Sequence, residues 1–277
     1  IGLVVTGIDE DGKLRVGKLG GMLPWKIGER PVEILTDHRD TIVGRVSFGV
    51  GHTQVGLGKI DWSLVRILTG LTPDELSEKG VRVGSVAVPL RAHVGPVLFG
   101  KEEDPMIAAW TFDDRMGCAM LLRLMHTIKE DGFTPKCDTI FAFTKQEEVK
   151  GNGVKPLTIR LQPDVLICID GGAAYKDAGT SVDGGVVAVT KDKLADYAFE
   201  VVLAIKEAAR AAGKPIQFAV TDVAYTDAGL ALQSGGPMRV GHIGFTKENS
   251  HGYEVMHYSM LDEYFAVLYS LIKIFVP

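Results

Sequence analysis

The chain has 277 residues, 46% hydrophobic and 23% charged, a composition suited to one large folded domain or two small ones. Its net charge of -5 argues against nucleic acid as the main partner, because phosphate binding needs a basic face. No apolar run reaches the length of a membrane span and no signal-peptide pattern opens the chain.

Cys118, Cys137 and Cys168 lack metal-finger spacing and read as reduced, mostly buried thiols of a cytoplasmic protein. The opening Ile1-Gly2-Leu3 enters a strand-like run at once, and reads as a piece whose beginning is missing.

Residues 1–93 have the texture of a β-rich domain. The run 2–8 is β-branched and stops at the turn cluster Asp9-Glu10-Asp11-Gly12, after which 13–19 resumes the pattern. Gly20-Gly21, Gly49, Gly51, Gly56 and Gly58 punctuate further short runs, with strands predicted at 41–47 and 81–88. Thr72-Pro73-Asp74-Glu75 starts like a capped helix and predicts a turn over 72–79. Short strands joined by glycine turns imply a small barrel or sandwich.

Residues 94–277 read as α/β. A helix is predicted at 114–130 from Met116, Met120, Leu121, Leu124 and Ile128, with Cys118 packed on its apolar face. Runs 138–143 and 164–169 suit buried strands, and 193–212 a long helix with Ala195, Phe199, Val202 and Ile205 inward. Strands at 216–220 and 240–245 and a helix at 259–274 follow. Strands alternating with helices imply a mostly parallel sheet covered on both faces.

Open α/β sheets bind ligands beyond the carboxyl ends of their strands, so the residues after each strand carry the chemistry. Thr144-Lys145-Gln146-Glu147-Glu148 follows one strand, Asp170-Gly171-Gly172 another, and Ser250-His251-Gly252 lies shortly after a third. Asp113-Asp114-Arg115 precedes a helix. Carboxylates with one imidazole suit zinc, and cobalt or manganese tolerate the same donors. One aspartate can bridge two ions held roughly 3.5–4 Å apart. Of two adjacent glutamates, one can bind metal while its neighbour takes a proton from water.

Read singly, each element has a plainer meaning. Asp113-Asp114 is equally a helix N-cap, Glu147-Glu148 a solvated loop pair, Asp170 a turn residue and His251 an ordinary histidine. Their joint fall on one predicted rim favours a metal site.

In this order, Phe112-Asp113-Asp114-Arg115, Thr144 to Val149, Pro163-Asp164 through Asp170, Thr226-Asp227-Ala228 and Ser250 to Glu254 resemble the tetrahedral and glutamyl (deblocking) aminopeptidase family of co-catalytic metallopeptidases. Gly2-Leu3-Val4-Val5 and Gly80-Val81-Arg82-Val83-Gly84 extend the likeness into the β-rich half. The resemblance implies an α/β metallopeptidase domain, here residues 94–277 without its N-terminal part, and a small β-barrel domain, here 1–93, that assembles dimers and higher shells such as a dodecamer. It implies two divalent ions, zinc with cobalt or manganese as alternatives. Asp113 would bridge them, Glu148 and His251 would complete one site, and Asp170 would end the other. Glu147 would be the general base as a bridging hydroxide attacks a short peptide and frees its N-terminal residue.

Three departures stand out. Lys150-Gly151-Asn152-Gly153 lacks the family's arginine, and after His251 the family's Ser-Pro-like step is replaced by Gly252-Tyr253, so that Glu254 comes one residue early. The family's His-x-Asp-Glu segment, which precedes the point where this chain begins and ligates the second metal, is not in the sequence, and neither His38 nor His52 has that context. Weak binding at the second site and exposed apolar surface are the expectations. The alternatives are a non-catalytic assembly subunit of the same fold, a related deacylase or carboxypeptidase, and a glycoside hydrolase using Glu147 and Asp170. Phosphate-loop, Gly-x-Ser-x-Gly and His-Glu-x-x-His motifs are absent.

Overall fold

A computed structural model describes residues 1–49, 60–174 and 179–276 of the chain. Gly51, Gly56, Gly58 and His52 lie outside the described residues. The fold divides into two compact units, one of Ile1–Pro96, Ala109–Thr111 and His251–Tyr253, the other of Val97–Ala108, Phe112–Ser250 and Glu254–Pro277.

The first unit is a closed barrel. Its strands are β1 (Gly2–Ile8), β2 (Leu14–Leu19), β3 (Pro31–Leu35), β4 (Thr41–Ser47), β5 (Arg66–Leu68) and β6 (Val86–Pro89), in the order β1-β2-β5-β4-β3-β6. Pairing of β1 with β6 closes it, which removes the open edges that a sheet would otherwise expose. Alternate residues point inward, so Leu3, Val5, Leu14, Val16, Val32, Ile34, Val46 and Ile67 form one buried cluster. Burial of each such side chain contributes roughly 1.5–3 kcal/mol. Gly44 is required where β4 crosses the interior, since a Cβ there would lie 2.5 Å from Ile67 Cγ2. Trp110 joins this core beneath the Arg30 guanidinium, 4.9 Å from the ring centroid.

Among its described residues the unit also has two short α-helices, α1 (Pro24–Ile27) and α2 (Pro73–Glu78). The predicted cap forms: Glu75 N donates to Thr72 Oγ1 at 3.3 Å and Thr72 N to Glu75 Oε2 at 2.8 Å. The strand predicted at 81–88 shrinks to β6. Val81 N turns back to Leu76 O at 2.8 Å and Gly84 takes φ +93°, so the chain turns before it can extend. His38 Nε2 lies 3.2 Å from the Glu78 carbonyl, a contact internal to this unit.

The second unit contains the sheet β11-β10-β12-β9 and most of a smaller sheet β13-β8-β7. The strands are β7 (Val97–Gly100), β8 (Pro105–Trp110), β9 (Val165–Ala173), β10 (Val186–Lys191), β11 (Ile216–Val220), β12 (Arg239–Lys247) and β13 (Tyr253–His257). Within the larger sheet β10–β11 and β12–β9 are parallel and β10–β12 antiparallel, the mostly parallel arrangement that the alternating texture implies. The helices are α3 (Phe112–Glu130), α4 (Val154–Leu161), α5 (Phe199–Ala212), α6 (Asp227–Gln233) and α7 (Met260–Ile274). β10 sends Val186 and Ala188 into a cluster with α3, α5 and α7, and Val187 and Val189 into one containing Ala228 of α6. Both faces are therefore buried, which explains the near-continuous apolar runs.

Three expectations fail here. Residues 138–143 form no strand: no described strand pairs with them, and Ile140 is 61% exposed. Apolar composition alone does not supply the ladder partner that defines a strand. The long helix begins at Phe199, not 193, because buried Asp192 accepts hydrogen bonds from Leu194 N (2.7 Å) and Ala195 N (2.8 Å), holding a turn there; Phe199 itself is 73% exposed. Cys118 is exposed and only Cys168 is buried. Met116, Met120 and Leu124 define the inner face of α3, and a residue two places from Met116 or Met120 points away from it.

Candidate metal centre

The acids of the second unit gather from within β9, from the start of α3 and from the turn that carries Glu147 and Glu148. Asp113 and Asp114 precede the first regular turn of α3 with non-helical backbone angles and take different partners. Asp114 Oδ1 accepts from Gly117 N at 3.3 Å, so the N-cap reading holds for this residue. Asp113 Oδ2 instead accepts from Lys247 Nζ at 2.9 Å, and Asp113 N donates to Glu254 Oε2 at 3.0 Å.

Asp170 lies inside β9, in register with Gly244 of β12. The turn reading of Asp170-Gly171-Gly172 is thereby overturned: the strand continues to Ala173. The two glycines supply clearance. A Cβ at Gly171 would lie 2.3 Å from Lys247 Cε, and one at Gly172 would lie 2.2 Å from Val187 Cγ1. Any side chain at position 171 would push Lys247 aside.

Glu147 and Glu148 sit on a single 3-10 turn, Glu147–Val149, flanked by Gln146 at φ 62° and Lys150 at φ 75°. Left-handed backbone at non-glycine residues costs on the order of 1 kcal/mol and clusters at functional loops. The loop is pinned from both sides. Gly151 N donates to Gln146 O and Glu147 O at 3.0 and 3.1 Å, and Thr144 Oγ1 donates to Asp227 Oδ2 at 2.6 Å. Asp227 opens α6, so the loop carrying the glutamates is tied to a helix N-terminus.

Carboxylate oxygens of Asp113 and Glu148 lie within 4.8 Å of one another, and those of Asp113, Asp114 and Asp170 form a second group with the same limit. This crowding, together with burial, raises the carboxyl pKa values. Burial, then the Asp113 charge, pushes Asp114 up to about 9. Burial, then Glu148, Asp227 and Asp113, pushes Glu147 up to about 8. Asp170 is raised well above the carboxylate range by burial and by Asp113 and Asp114. Beneath them, buried His242 has its pKa brought down to about 4 by burial, so it is neutral at pH 7. His251 belongs to the first unit, where its Nδ1 lies 3.1 Å from the Gly21 carbonyl. It follows Ser250 directly in the chain, and Ser250 Oγ accepts from Lys247 Nζ at 3.0 Å.

A model of the M42 glutamyl aminopeptidase family matches residues 1–266. The chain belongs to this family. Its members are metal-dependent aminopeptidases. The FrvX protein of Escherichia coli strain K12 is 25% identical over 247 residues, covering 85% of this chain and 67% of that protein. The TET1 peptidase of Pyrococcus horikoshii, which can assemble into a tetrahedron or a large octahedral shell, superposes with a TM-score of 0.84 at 25% identity, over 99% of this chain and 81% of that one. The TET aminopeptidase of Thaumarchaeota archaeon SCGC AB-539-E09 gives 0.87 at 21% identity over 99% and 78%, a likeness of fold.

The acids of this M42 chain fit a divalent cation. Carboxylates whose protons are held up to about 8 and 9 by mutual repulsion and burial are groups that a nearby cation would stabilise in charged form. Lys247 and the buried half of its network were not legible in the sequence. A lysine after an apolar strand reads as a solvated strand end, yet Lys247 is 1% exposed. The available signal was the pair of glycines after Asp170, which has meaning only once β9 and β12 are known to be neighbours.

Proposed function

We propose that this chain removes N-terminal residues from short peptides at a co-catalytic metal centre. Asp113, Glu148 and His251 would hold one ion, and Asp113 with Asp170 a second, as carboxylate and imidazole donors do for zinc, with cobalt or manganese as alternatives. Bound divalent ions supply a Lewis acid for the peptide carbonyl and bring the pKa of water to about 7. Glu147, next to Glu148 in sequence and pressed by the charges of Glu148 and Asp113, takes the proton of the attacking water and returns it to the departing amine. Lys247 and Glu254 orient Asp113 from behind, one through Oδ2 and the other through the backbone N–H.

The observation carrying this reading is that Asp113 groups both with Glu148 and with Asp170, all three drawn from separate elements of one unit. The barrel is assigned to subunit assembly, a dimer building block for a shell such as a dodecamer. The three cysteines, free in the structure, support a reducing cytoplasm, and no helix among the described residues is long and apolar enough to cross a membrane.

The test is Glu147→Gln in the full-length protein. Metal content should be retained while kcat falls at least about a hundredfold. Unchanged turnover would remove Glu147 from its role.

A further inference from the structure

Apolar packing does not fix the turn that carries Glu147. Between Lys145 and Lys150 the apolar side chain is Val149, and it is 40% exposed. A polar tie lies beneath it, at the start of α6. Asp227 is 7% exposed, and its Oδ2 accepts from Thr144 Oγ1 at 2.6 Å, three residues before Glu147. Its Oδ1 is buried and has no hydrogen-bond partner among the described residues. The far end of the same turn rests on the same helix. A Cβ at Gly151 would lie 2.6 Å from Leu230 Cδ1 and 3.2 Å from Asp227 Oδ1, so glycine, here at φ +62°, lets the chain come this close.

Asp227 is itself held from below. Thr226 N donates to Asp192 Oδ2 at 3.2 Å, Tyr197 OH donates to the same oxygen at 2.7 Å, and Tyr197 OH lies 2.9 Å from Thr226 Oγ1. Asp192 is 1% exposed, and its other oxygen takes the Leu194 and Ala195 amides. A Cβ at Gly229 of α6 would lie 2.6 Å from Asp192 Oδ2. A satisfied buried network of this kind rigidifies what it holds, here the first turn of α6. Asp227 is also near enough to Glu147 for its charge to act there ahead of that of Asp113. A buried carboxylate with one oxygen unpaired is costly, and such departures from good pairing belong at functional sites.

Building on the general-base role proposed above for Glu147, we infer that Thr144 and Asp227 are positioning residues for that base. The locked start of α6 holds the turn through their hydrogen bond, and that bond sets where the Glu147 carboxyl stands. Both residues act through Glu147 and not on substrate.

The experiment follows hydrogen exchange over residues 144–153 and steady-state kinetics of the full-length protein at saturating Mn²⁺. In wild type the Gly151 amide should exchange slowly. Thr144→Val keeps the shape and removes the donor. It should speed exchange in that segment alone and lower kcat, each at least about tenfold, with KM within about twofold. Thr144→Ser, which keeps the donor, should recover both. On a Glu147→Gln background, with no base left to place, Thr144→Val should change the residual kcat by less than about twofold. An equal loss on both backgrounds would overturn the inference, as would a folded Thr144→Val with unaltered kcat. Fast wild-type exchange at Gly151 would overturn it even if the valine variant does not fold. Those outcomes leave Glu147 as the base. Full turnover by Glu147→Gln alone would remove both readings.

Discussion

The barrel and the α/β unit use burial in opposite ways. Among the described residues, the buried polar side chains of the barrel unit are Thr36 and Ser85, neither of which titrates, and the rest of its interior is aliphatic and aromatic. The α/β unit buries Asp192, Asp227, His242, Lys247 and Glu254, and crowds Asp113, Asp114, Glu147 and Asp170 beside them. An apolar interior costs little electrostatically and specifies a shape. Buried charge is expensive unless paired, and it persists where the pairing itself does chemistry. In this molecule the difference separates the part that holds a fold from the part proposed to hold cations.

The contrast can be broken from either side. The largest effect is expected from His251→Ala, which should release metal and lower turnover by at least about a hundredfold; full metal occupancy after dialysis would strike His251 from the ligand set. Ile34→Ala in the barrel core should cost about 2–5 kcal/mol in denaturant unfolding, with metal affinity of the folded protein unchanged. A folded Ile34 variant that loses its metal would show the barrel to be more than scaffold. Thr72→Ala removes the capping box of α2 and should cost about 1 kcal/mol by the same measurement; no loss would mean that Glu75 holds the helix end unaided.

The smallest effect concerns His257, whose ring lies 2.7 Å from Asp183 Oδ1 and 3.0 Å from Asp104 Oδ2. Burial works against its charge, but the two carboxylates outweigh it and hold its pKa above the ordinary value. Stability from this pairing is complete below the unfolded-state pKa and is lost as pH rises through the folded one. Because both aspartates are largely exposed, His257→Gln should cost no more than about 0.5 kcal/mol at pH 5.5 and nothing measurable at pH 9. An equal loss at both pH values would assign the effect to packing.

Much of this was readable along the chain. A β-branched run bounded by a turn cluster marked β1 and the same pattern marked β4, both at their observed bounds, and Thr72-Pro73-Asp74-Glu75 announced its helix. These signals are local: a cap or a β-branched run ending at a turn cluster concerns neighbours within a few positions, and a linear reading captures them. Only the tertiary structure divided the labour between Asp113 and Asp114, carried β9 through Asp170, left 138–143 without a strand partner, and sank Lys247 to 1% exposure. The partners of Asp113, the course of β9 and the burial of Lys247 depend on contacts between residues far apart in the chain, as Lys247 is from Asp113 by 134 positions. No pattern within either segment encodes such a meeting, because it exists only when β9 and β12 lie side by side and Gly171 leaves the space.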